Sequence, residues 1–521
     1  MKRKEENFKF TRRALFVGAA EGAILTVLGG RLAWLQISQG ARYKTLADKN
    51  RINIKIIPPS RGQIVDRFGV PLAINNRNFR ALVVPEQTEN LEQSLRSLQK
   101  YIEISEDKIK AVLKLAKKSP KFLPLEIKDN LSWEEVAKVE VNLPDLPGMS
   151  TEAGEIRAYP LSEATAHMIG YVGAVSKGEL SDDPLLNVPG FKIGKTGVEK
   201  THDLAMRGRA GSSEVEVNVV GRVVRELRRI ESVPGDRVTL TIDGELQRLA
   251  QKRLSEQQSA SAAVMNVHTG EVYALASHPG FDPNVFSKGI PTSLWEELLA
   301  NPANPLTNKA IAGQYPPAST FKMITAIAGM RAGKINMNRT VFCPGHYRLG
   351  KGLFHCWKKG GHGYVNVIDA LTKSCDVFFY QMANEMGIDK IVETAREFGL
   401  GSKFGFDLSE ERPGLVPDRA WKKAQFNESW QPGETIVNSI GQGYFLATPL
   451  QLAVMVARMV NGGYAVKPQI TNFVGEKPRI PAQWPKMKVD DEHLRVVRLG
   501  MDKVVNSERG TAYSSRVKDN P

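Results

Sequence analysis

The chain has 521 residues, of which 42% are hydrophobic and 24% are charged, so it is long enough for two or three globular domains. Its formal net charge is +15 at pH 7, which suits an anionic partner such as a lipid surface, a wall polymer or a nucleic acid. No motif typical of RNA- or DNA-binding proteins accompanies this charge, so we expect no nucleic-acid partner.

The N-terminus joins a basic segment to an apolar one. Six Lys and Arg residues lie in segment 1–13, and segment 14–36 is apolar except for Glu21 and Arg31. Its length is near the roughly 20 residues that a helix needs to cross a bilayer. The positive-inside rule then predicts a single-pass anchor at 14–36, with residues 1–13 cytoplasmic and the bulk of the chain on the outer side of the membrane. A cleaved signal peptide is the alternative, because Gly18-Ala19-Ala20 is a weak cleavage site.

Residues 45–230 are predicted to form a mixed α/β domain without a catalytic constellation. Alternating apolar residues predict strands at both of its ends, and helical periodicity occupies its middle. Ser132 and Glu135 have the spacing of a capping box before one of these helices. The predicted strands lie at 52–56 and 211–230, and the predicted helices begin near 91, 109 and 132.

Pro234-Gly235-Asp236 marks the predicted boundary to a second domain, which covers residues 234–521. Strands precede helices in this region, which predicts an α/β domain with an antiparallel sheet. A hairpin signal surrounds His268-Thr269-Gly270-Glu271. The predicted elements are strands at 238–242, 262–266 and 272–276, and helices at 245–254, 319–330, 367–386 and 449–460.

Ser319 and Lys322 are the main candidates for catalysis. They follow Pro316 and Pro317, which are disfavoured inside a helix, so we predict a helix that starts at Ser319. The two side chains would share one helical face, where an amine can activate a hydroxyl as a nucleophile. A helix N-cap is the structural alternative for this serine. Because the same spacing occurs elsewhere, the context must decide; the copies are Ser97-Lys100, Ser105-Lys108 and Ser515-Lys518.

The three cysteines of the chain lie in one window with a histidine. Cys343, Cys356, His362 and Cys375 follow the spacing Cys-x12-Cys-x5-His-x12-Cys. Three thiolates and one imidazole form a donor set for tetrahedral Zn²⁺, so we predict a structural zinc site. A Cys343–Cys356 disulfide is the alternative, and His355 is a spare ligand candidate.

Several motifs together resemble a known family. Ser319-Thr320-Phe321-Lys322 and Ser374-Cys375-Asp376 resemble the first two active-site motifs of penicillin-binding proteins and β-lactamases. The chain resembles the class B penicillin-binding proteins over nearly its whole length, and most closely the penicillin-binding protein 2 branch. The resemblance implies an α+β, multi-domain chain with a transmembrane helix, a pedestal (the dimerisation domain) and a β-lactamase-like transpeptidase domain around a central antiparallel sheet. The other segments that carry it are 59–67, 157–160, 166–167, 194–199, 240–243, 276–279, 441–443 and 448–453.

The resemblance also implies an activity. Such an enzyme cross-links peptidoglycan stem peptides during cell elongation and rod-shape maintenance, and it is acylated by β-lactams. Ser319 would attack the carbonyl between the terminal D-alanines, and Lys322 would take the hydroxyl proton. Ser374 would relay a proton to the leaving D-alanine, and Asp376 would hydrogen-bond Lys322 or the substrate; zinc at Cys375 would brace this motif. Implied partners are the rod-shape membrane glycan polymerase and elongation scaffold proteins.

Two departures from the family pattern lead to further expectations. Ala318 stands where the family has a glycine before the nucleophile. The only Lys-Thr-Gly of the chain, Lys195-Thr196-Gly197, belongs to a pedestal segment, so we interpret it as structural and not as the third active-site motif. We therefore expect that the chain, which stops at Pro521, ends just short of that third motif. Two alternatives to a transpeptidase follow: a β-lactam sensor or β-lactamase-like protein, and an inactive membrane scaffold.

Overall fold

The computed structural model describes residues 12–39, 52–119, 121, 123–188, 190–217, 223–480 and 482–517. Most of the predicted cytoplasmic segment 1–13 therefore lies outside the described residues. Helix α1 (Arg12–Ala33) continues into a π-helical turn at Trp34–Ser38. Its apolar span Phe16–Ile37 has a mean hydropathy of 1.3 and buries none of its surface in the rest of the protein. By length and composition it can cross a membrane, in agreement with the predicted anchor.

A mixed α/β region follows, with strands and helices where the sequence predicts them. The predicted capping box is confirmed, because Ser132 Oγ accepts the N–H of Glu135 and the Glu135 carboxylate accepts the N–H of Ser132. The strands are β1 Ile52–Ile57, β2 Ile64–Val65, β3 Pro71–Val83, β4 Leu125–Lys128, β5 Met149–Ala158, β6 Val172–Ala174, β7 Lys192–Gly194, β8 Gly211–Val217 and β9 Val223–Ile230. The helices are α2 Leu91–Leu98, α3 Glu106–Ala116, α4 Trp133–Val141, α5 Ala166–Ile169, α6 Gly197–Thr201 and α7 Asp203–Arg207.

The second region is mainly helical. Its strands are β10 Val238–Leu240, β11 Ala260–Met265, β12 Val272–His278, β13 Val341–Cys343, β14 His346–Leu349, β15 Gly352–His355, β16 Gly363–Val365, β17 Thr471–Val474 and β18 Lys477–Pro478. Its helices are α8 Gly244–Leu254, α9 Pro283–Lys288, α10 Thr292–Ala300, α11 Lys309–Ala312, α12 Lys322–Arg331, α13 Val367–Thr372, α14 Asp376–Met386, α15 Ile388–Glu397, α16 Arg419–Phe426, α17 Pro432–Asn438, α18 Pro449–Val460 and α19 Asp491–Asn506.

One sheet connects the two regions. It has seven strands in the order β18-β17-β10-β2-β3-β4, with β5 also paired to β3, so it contains strands from both sides of the predicted boundary at Pro234. Strand β10 runs parallel to β2 and antiparallel to β17. A separate antiparallel sheet contains β1, β8 and β9. The predicted hairpin is confirmed as the antiparallel pair β11–β12, on which α8 packs. The predicted domain limits stay a prediction.

The pedestal segment 194–199 is structural in this fold. Gly197 has φ +60°, and a Cβ there would lie 2.5 Å from the carbonyl oxygen of Met168, so only glycine fits. Glu199 is fully buried and accepts hydrogen bonds from Arg61 and Arg157, each at 2.7 Å. Burial raises the pKa of Glu199, but the two guanidinium groups outweigh it and hold that pKa below its usual value. The Lys-Thr-Gly sequence therefore directly precedes a buried ion-pair cluster, and Lys195 itself pairs with Glu179.

The largest core surrounds helix α12. Eight of its ten residues are buried, and it packs against α14, α15 and α19. Phe321 at its N-terminal end is fully buried against Phe445, with ring centroids 4.4 Å apart. Apolar residues on all sides of a helix indicate a central position in the core. This core therefore fixes the N-terminal end of α12, where the candidate nucleophile lies.

Candidate active site

Ser319 lies in a 3₁₀ turn, Ala318–Phe321, and α12 begins only at Lys322. The prediction that the α-helix starts at Ser319 is therefore wrong by one turn. The cause is Ala318, whose φ of +49° lies in the left-handed region and separates the turn from the prolines. The Ala318 N–H donates to the Gly441 carbonyl at 2.8 Å, and a Cβ on Gly441 would lie 2.4 Å from the Ala318 carbonyl oxygen. This close approach requires glycine at 441 and leaves Ser319 exposed on the surface.

Lys322 is buried at the first position of α12, with 1% of its surface exposed. Its Nζ donates to Asp376 Oδ1 at 2.6 Å, to Ser374 Oγ at 2.9 Å and to the Ser374 carbonyl at 3.0 Å. These three bonds use all the donors of an ammonium group. A buried charge is stable only when it is paired and hydrogen-bonded, so Asp376 and Ser374 are what allows a lysine at this position.

Ser374 lies in a break between α13 and α14, so the single helix predicted over 367–386 is wrong. Helix α13 ends in a Schellman motif, because the N–H of Cys375 donates to the Ala370 carbonyl and the N–H of Ser374 donates to the Leu371 carbonyl. Ser374 holds the left-handed position of this motif, with φ +51°. The break turns its hydroxyl toward the nucleophile, and Ser374 Oγ donates to Ser319 Oγ at 3.2 Å.

The four predicted catalytic residues are therefore brought together. Their hydrogen bonds form one path from the exposed Ser319 hydroxyl through Ser374 Oγ and Lys322 Nζ to the Asp376 carboxylate. Within the described residues, no hydrogen bond joins Ser319 directly to Lys322. In the structure, Ser374 Oγ therefore lies between Ser319 and Lys322, whereas the sequence predicted that Lys322 takes the proton of Ser319 directly. The roles of the four side chains stay predictions.

Trp357 is a site residue that the sequence reading missed. Its backbone N–H donates to Asp376 Oδ2 at 2.9 Å, and its indole N–H donates to the carbonyls of Ser374 and Lys373 at 3.0 and 3.1 Å. Its side chain nevertheless stays 59% exposed. The only sequence signal was its position directly after Cys356, because contacts across 16 to 19 residues leave no periodic pattern.

The cysteines and His362 form the predicted cluster. One ligand atom from each of Cys343, Cys356, His362 and Cys375 lies within 4.8 Å of all the others. His362 Nδ1 is 3.7 Å from Cys343 Sγ and 3.5 Å from Cys356 Sγ. All three thiols are free, so the alternative of a Cys343–Cys356 disulfide does not describe this structure. The spare candidate His355 is exposed on β15 and lies outside the cluster.

The donor set of this cluster fits zinc. In a tetrahedral site with Zn–S distances of about 2.3 Å, the sulfur atoms lie about 3.8 Å apart. The four ligand atoms of this cluster, all within 4.8 Å of one another, can adopt that spacing with small movements. A hydrogen bond from the Cys375 thiol lowers the pKa of Cys356 to about 5, which favours a thiolate at neutral pH. The same bond, together with burial, raises the pKa of Cys375, so the two thiols behave as a pair. His362 Nε2 is buried without a partner, which leaves Nδ1 as the ring atom that faces the sulfurs.

Two family models match the chain. The "Penicillin-binding Protein dimerisation domain" matches residues 56–240, and the "Penicillin binding protein transpeptidase domain" matches residues 260–520. The chain is 36% identical over 520 residues to the peptidoglycan D,D-transpeptidase MrdA of Escherichia coli K12, a match that covers 98% of this chain and 82% of the relative. It is 38% identical over 497 residues to MrdA of Acinetobacter baumannii, with 93% and 73% covered.

Solved structures agree with these matches. A penicillin-binding protein 2 from Helicobacter pylori, solved in complex with MreC, superposes with a TM-score of 0.80 at 30% identity and covers 89% of this chain and 87% of its own. Penicillin-binding protein 2 of Pseudomonas aeruginosa, in complex with WCK 5153, superposes with a TM-score of 0.68 at 30% identity and covers 89% and 82%. The predicted α+β architecture of N-terminal apolar helix, pedestal and transpeptidase domain is confirmed by these similarities.

Proposed function

Since this chain belongs to the penicillin-binding protein 2 branch of the class B penicillin-binding proteins, we propose that it is a peptidoglycan D,D-transpeptidase with Ser319 as its nucleophile. The observation that carries the proposal is the hydrogen-bonded path from the exposed Ser319 hydroxyl to the buried Lys322 amine. A nucleophilic serine needs a base within hydrogen-bond reach, and here the base is reached through one intervening hydroxyl.

Acylation is the first half of the proposed reaction. In the enzyme form whose Lys322 is unprotonated, Ser319 Oγ attacks the carbonyl between the two D-alanines of a donor stem peptide, and its proton passes through Ser374 Oγ to Lys322 Nζ. The C–N bond then breaks, and the leaving D-alanine nitrogen takes the proton back through Ser374. Asp376 holds Lys322 in place throughout, because its carboxylate accepts the shortest of the three Nζ bonds. The backbone N–H of Ser319, in the 3₁₀ turn that precedes α12, would face the developing oxyanion.

Transfer is the second half. The amine of a second stem peptide attacks the acyl carbon, loses its proton along the same path, and releases Ser319 with the proton restored to Oγ. The product is an amide cross-link between two strands. Water in place of the amine would give carboxypeptidase activity, and a β-lactam in place of the donor would leave a stable acyl-enzyme. A β-lactam sensor, a β-lactamase and a scaffold are less well supported, since the similarity to MrdA runs through the pedestal and the transpeptidase domain alike.

A structural zinc ion is the second part of the proposal. Cys343, Cys356, Cys375 and His362 would hold it, and it would supply rigidity to the loop that carries Trp357. Removal of His362 as His362→Ala should abolish near-stoichiometric zinc in elemental analysis, whereas His355→Ala should keep it because His355 lies outside the cluster. Equal metal content in the wild type and His362→Ala would exclude the site.

The site of action follows from the anchor. With α1 in the inner membrane and the rest of the chain in the periplasm, Ser319 would face the cell wall. MreC, which binds penicillin-binding protein 2 of Helicobacter pylori, and a membrane glycan polymerase are the proposed partners, in line with a related structure of a complex of polymerisation and cross-linking. Polymer strands made by the polymerase would then reach Ser319 without leaving the complex of the two enzymes.

Labelling with fluorescent penicillin tests the enzymatic proposal. The full chain should take up the label covalently, and Ser319→Ala should abolish it. Ser515→Ala is the matched control, because Ser515 has the same Ser-x-x-Lys spacing on an exposed turn. A chain that stays unlabelled, or one whose label survives Ser319→Ala, would refute Ser319 as the nucleophile.

A further inference from the structure

A segment beside the active site carries positive charge without any acid. No Asp or Glu occurs between Glu297 and Asp369. The middle of this run, residues 341–365, folds as two small antiparallel pairs, β13–β16 and β14–β15, and we name it the basic lobe. It carries four Lys and Arg side chains, all of which are exposed: Arg348, Lys351, Lys358 and Lys359.

The cations of the basic lobe are unpaired, unlike the two arginines that precede it in the chain. Within the described residues, none of the four forms an ion pair. Arg331 and Arg339, from the same acid-free run but outside the lobe, are each matched by an acid from another helix, Glu397 and Glu385. The two arginines next to the lobe are therefore neutralised, whereas the four cations of the lobe are left without an acid. A cluster of unpaired cations produces a local field that attracts anions.

Exposed aromatic rings accompany the charges. Phe342 is 54% exposed and Tyr364 is 73% exposed, and their rings lie 5.1 Å apart on the strand pair β13–β16. Trp357 adds a third ring, 59% exposed, directly before Lys358. Large exposed aromatic side chains next to cations are typical of surfaces that bind a partner with both apolar and anionic groups.

The basic lobe is continuous with the catalytic residues. Trp357 donates its backbone N–H to Asp376 and its indole N–H to the carbonyl of Ser374. Ser374 in turn contacts the Ser319 hydroxyl. A chain bound along the lobe would therefore lie at the entrance to the nucleophile. This position favours a partner that reacts at Ser319 over a membrane surface.

We propose that the basic lobe binds the acidic peptide of the polymer strand that reacts at Ser319, with Arg348, Lys351, Lys358 and Lys359 attracting its carboxylates. This inference rests on the proposed function and assigns substrate recognition to residues outside the four catalytic side chains. Because exposed charges act through a field that salt screens, the contribution should be largest in the rate of association and should vanish at high ionic strength.

Peptide binding by the full chain in detergent, carrying Ser319→Ala to prevent turnover, tests the proposal. The probe is a fluorescent pentapeptide that ends in D-Ala-D-Ala and carries two further carboxylates, compared with a twin in which those two are amides. The lobe variant replaces Arg348, Lys351, Lys358 and Lys359 by Gln. The matched control replaces four exposed pedestal lysines by Gln, an equal change in net charge: Lys100, Lys114, Lys117 and Lys118.

The acidic peptide should bind the lobe variant at least tenfold more weakly than the control, and the amidated twin should bind both proteins equally. The difference should disappear at about 1 M salt, where the Debye length is about 3 Å. Equal binding of the acidic peptide by both proteins overturns the proposal. So does lobe-dependent binding of dihexanoylphosphatidylglycerol without binding of the peptide, since that result assigns the lobe to a lipid surface.

Penicillin labelling of the same proteins with Ser319 restored separates this proposal from the one on which it rests. Absence of Ser319-dependent label in the wild type refutes the transpeptidase assignment itself. Label in the wild type, in the lobe variant and in the control shows that all three are folded around Ser319, so that unchanged peptide binding then refutes the lobe alone.

Discussion

Ala318 shows how a single residue determines the backbone conformation beside the nucleophile. It occupies φ +49° directly before the nucleophile, a conformation that disfavours any side chain and that glycine adopts freely. Glycine would therefore suit this position because of the backbone and not because of space, since Ala318 is exposed. The alanine holds a strained turn in place through its 2.8 Å hydrogen bond to Gly441.

Substitution of Ala318 by Gly should therefore stabilise the protein. The left-handed conformation costs a side chain about 1–2 kcal/mol, and the extra freedom of glycine in the unfolded chain returns about half of that, so we expect a net gain of about 0.5–1 kcal/mol in the free energy of unfolding. Denaturant unfolding measures it. Ala332→Gly is the control, since Ala332 ends α12 at φ −80° and should lose stability. Equal shifts for the two variants would contradict the argument.

At the scale of elements, whether the sequence predicts a feature depends on how far apart in the chain the interacting residues lie. The capping box at Ser132, the hairpin β11–β12 and helix α18 follow local patterns, and the sequence predicted all three. The 3₁₀ turn at Ser319 and the break at Ser374 both depend on positive φ at residues other than glycine, which composition does not signal. Their hydrogen bonds to distant loops stabilise them, and such contacts are invisible to periodicity.

Trp357 makes one of these contacts between distant segments, because its hydrogen bonds connect the loop of the cysteine cluster to the break between α13 and α14. Trp357→Phe keeps an aromatic ring and the backbone bond to Asp376 but removes the indole donor to Ser374. Since Ser374 sits at φ +51° and must face Ser319, a looser break should displace its hydroxyl. We expect the acylation rate at saturating penicillin to fall by about tenfold, with little change in the penicillin concentration that gives half-saturation.

The control for this variant is Trp133→Phe, which changes an exposed tryptophan of the pedestal. It should leave acylation unchanged. If Trp357→Phe lowered the melting temperature but acylated at the wild-type rate, the role of Trp357 would be stability alone, and its assignment as a positioning residue would be wrong.

At the scale of the whole molecule, the pedestal and the transpeptidase region share one sheet, and a buried ion-pair cluster of the pedestal lies at the start of one of its strands. Arg61 lies just before β2, which pairs with β10 across the predicted boundary, and Arg61 also contacts Glu199. The sequence identified these positions through family segments but did not predict that they meet, because Arg61, Arg157 and Glu199 are far apart in the chain. A buried carboxylate of the pedestal therefore holds the segment that leads into β2, the strand that pairs with β10.

This dependence predicts how stability should vary with pH. The pKa of Glu199 in the folded protein lies below its unfolded value of 4.5, since Arg61 and Arg157 outweigh the effect of burial. Its contribution is therefore complete above pH 4.5 and is lost as the pH falls through the lower, folded pKa. Glu199→Gln should destabilise the protein by about 3 kcal/mol at pH 7, because it leaves the buried Arg157 guanidinium without its carboxylate and leaves Arg61 paired with Asp203 alone. The difference from wild type should shrink below pH 4.5.

Denaturant unfolding from pH 7 to pH 3 measures this difference. Glu92→Gln provides the control, since Glu92 pairs with Arg96 on an exposed helix face, where water and salt screen an ion pair and leave it little effect on stability. A difference between wild type and Glu199→Gln that stayed constant over the whole range would mean that the carboxylate does not titrate with folding. Penicillin labelling of Glu199→Gln at pH 7 adds the link to function: a slower reaction in a protein that is still folded would show that the pedestal cluster supports the geometry at Ser319 from a distance.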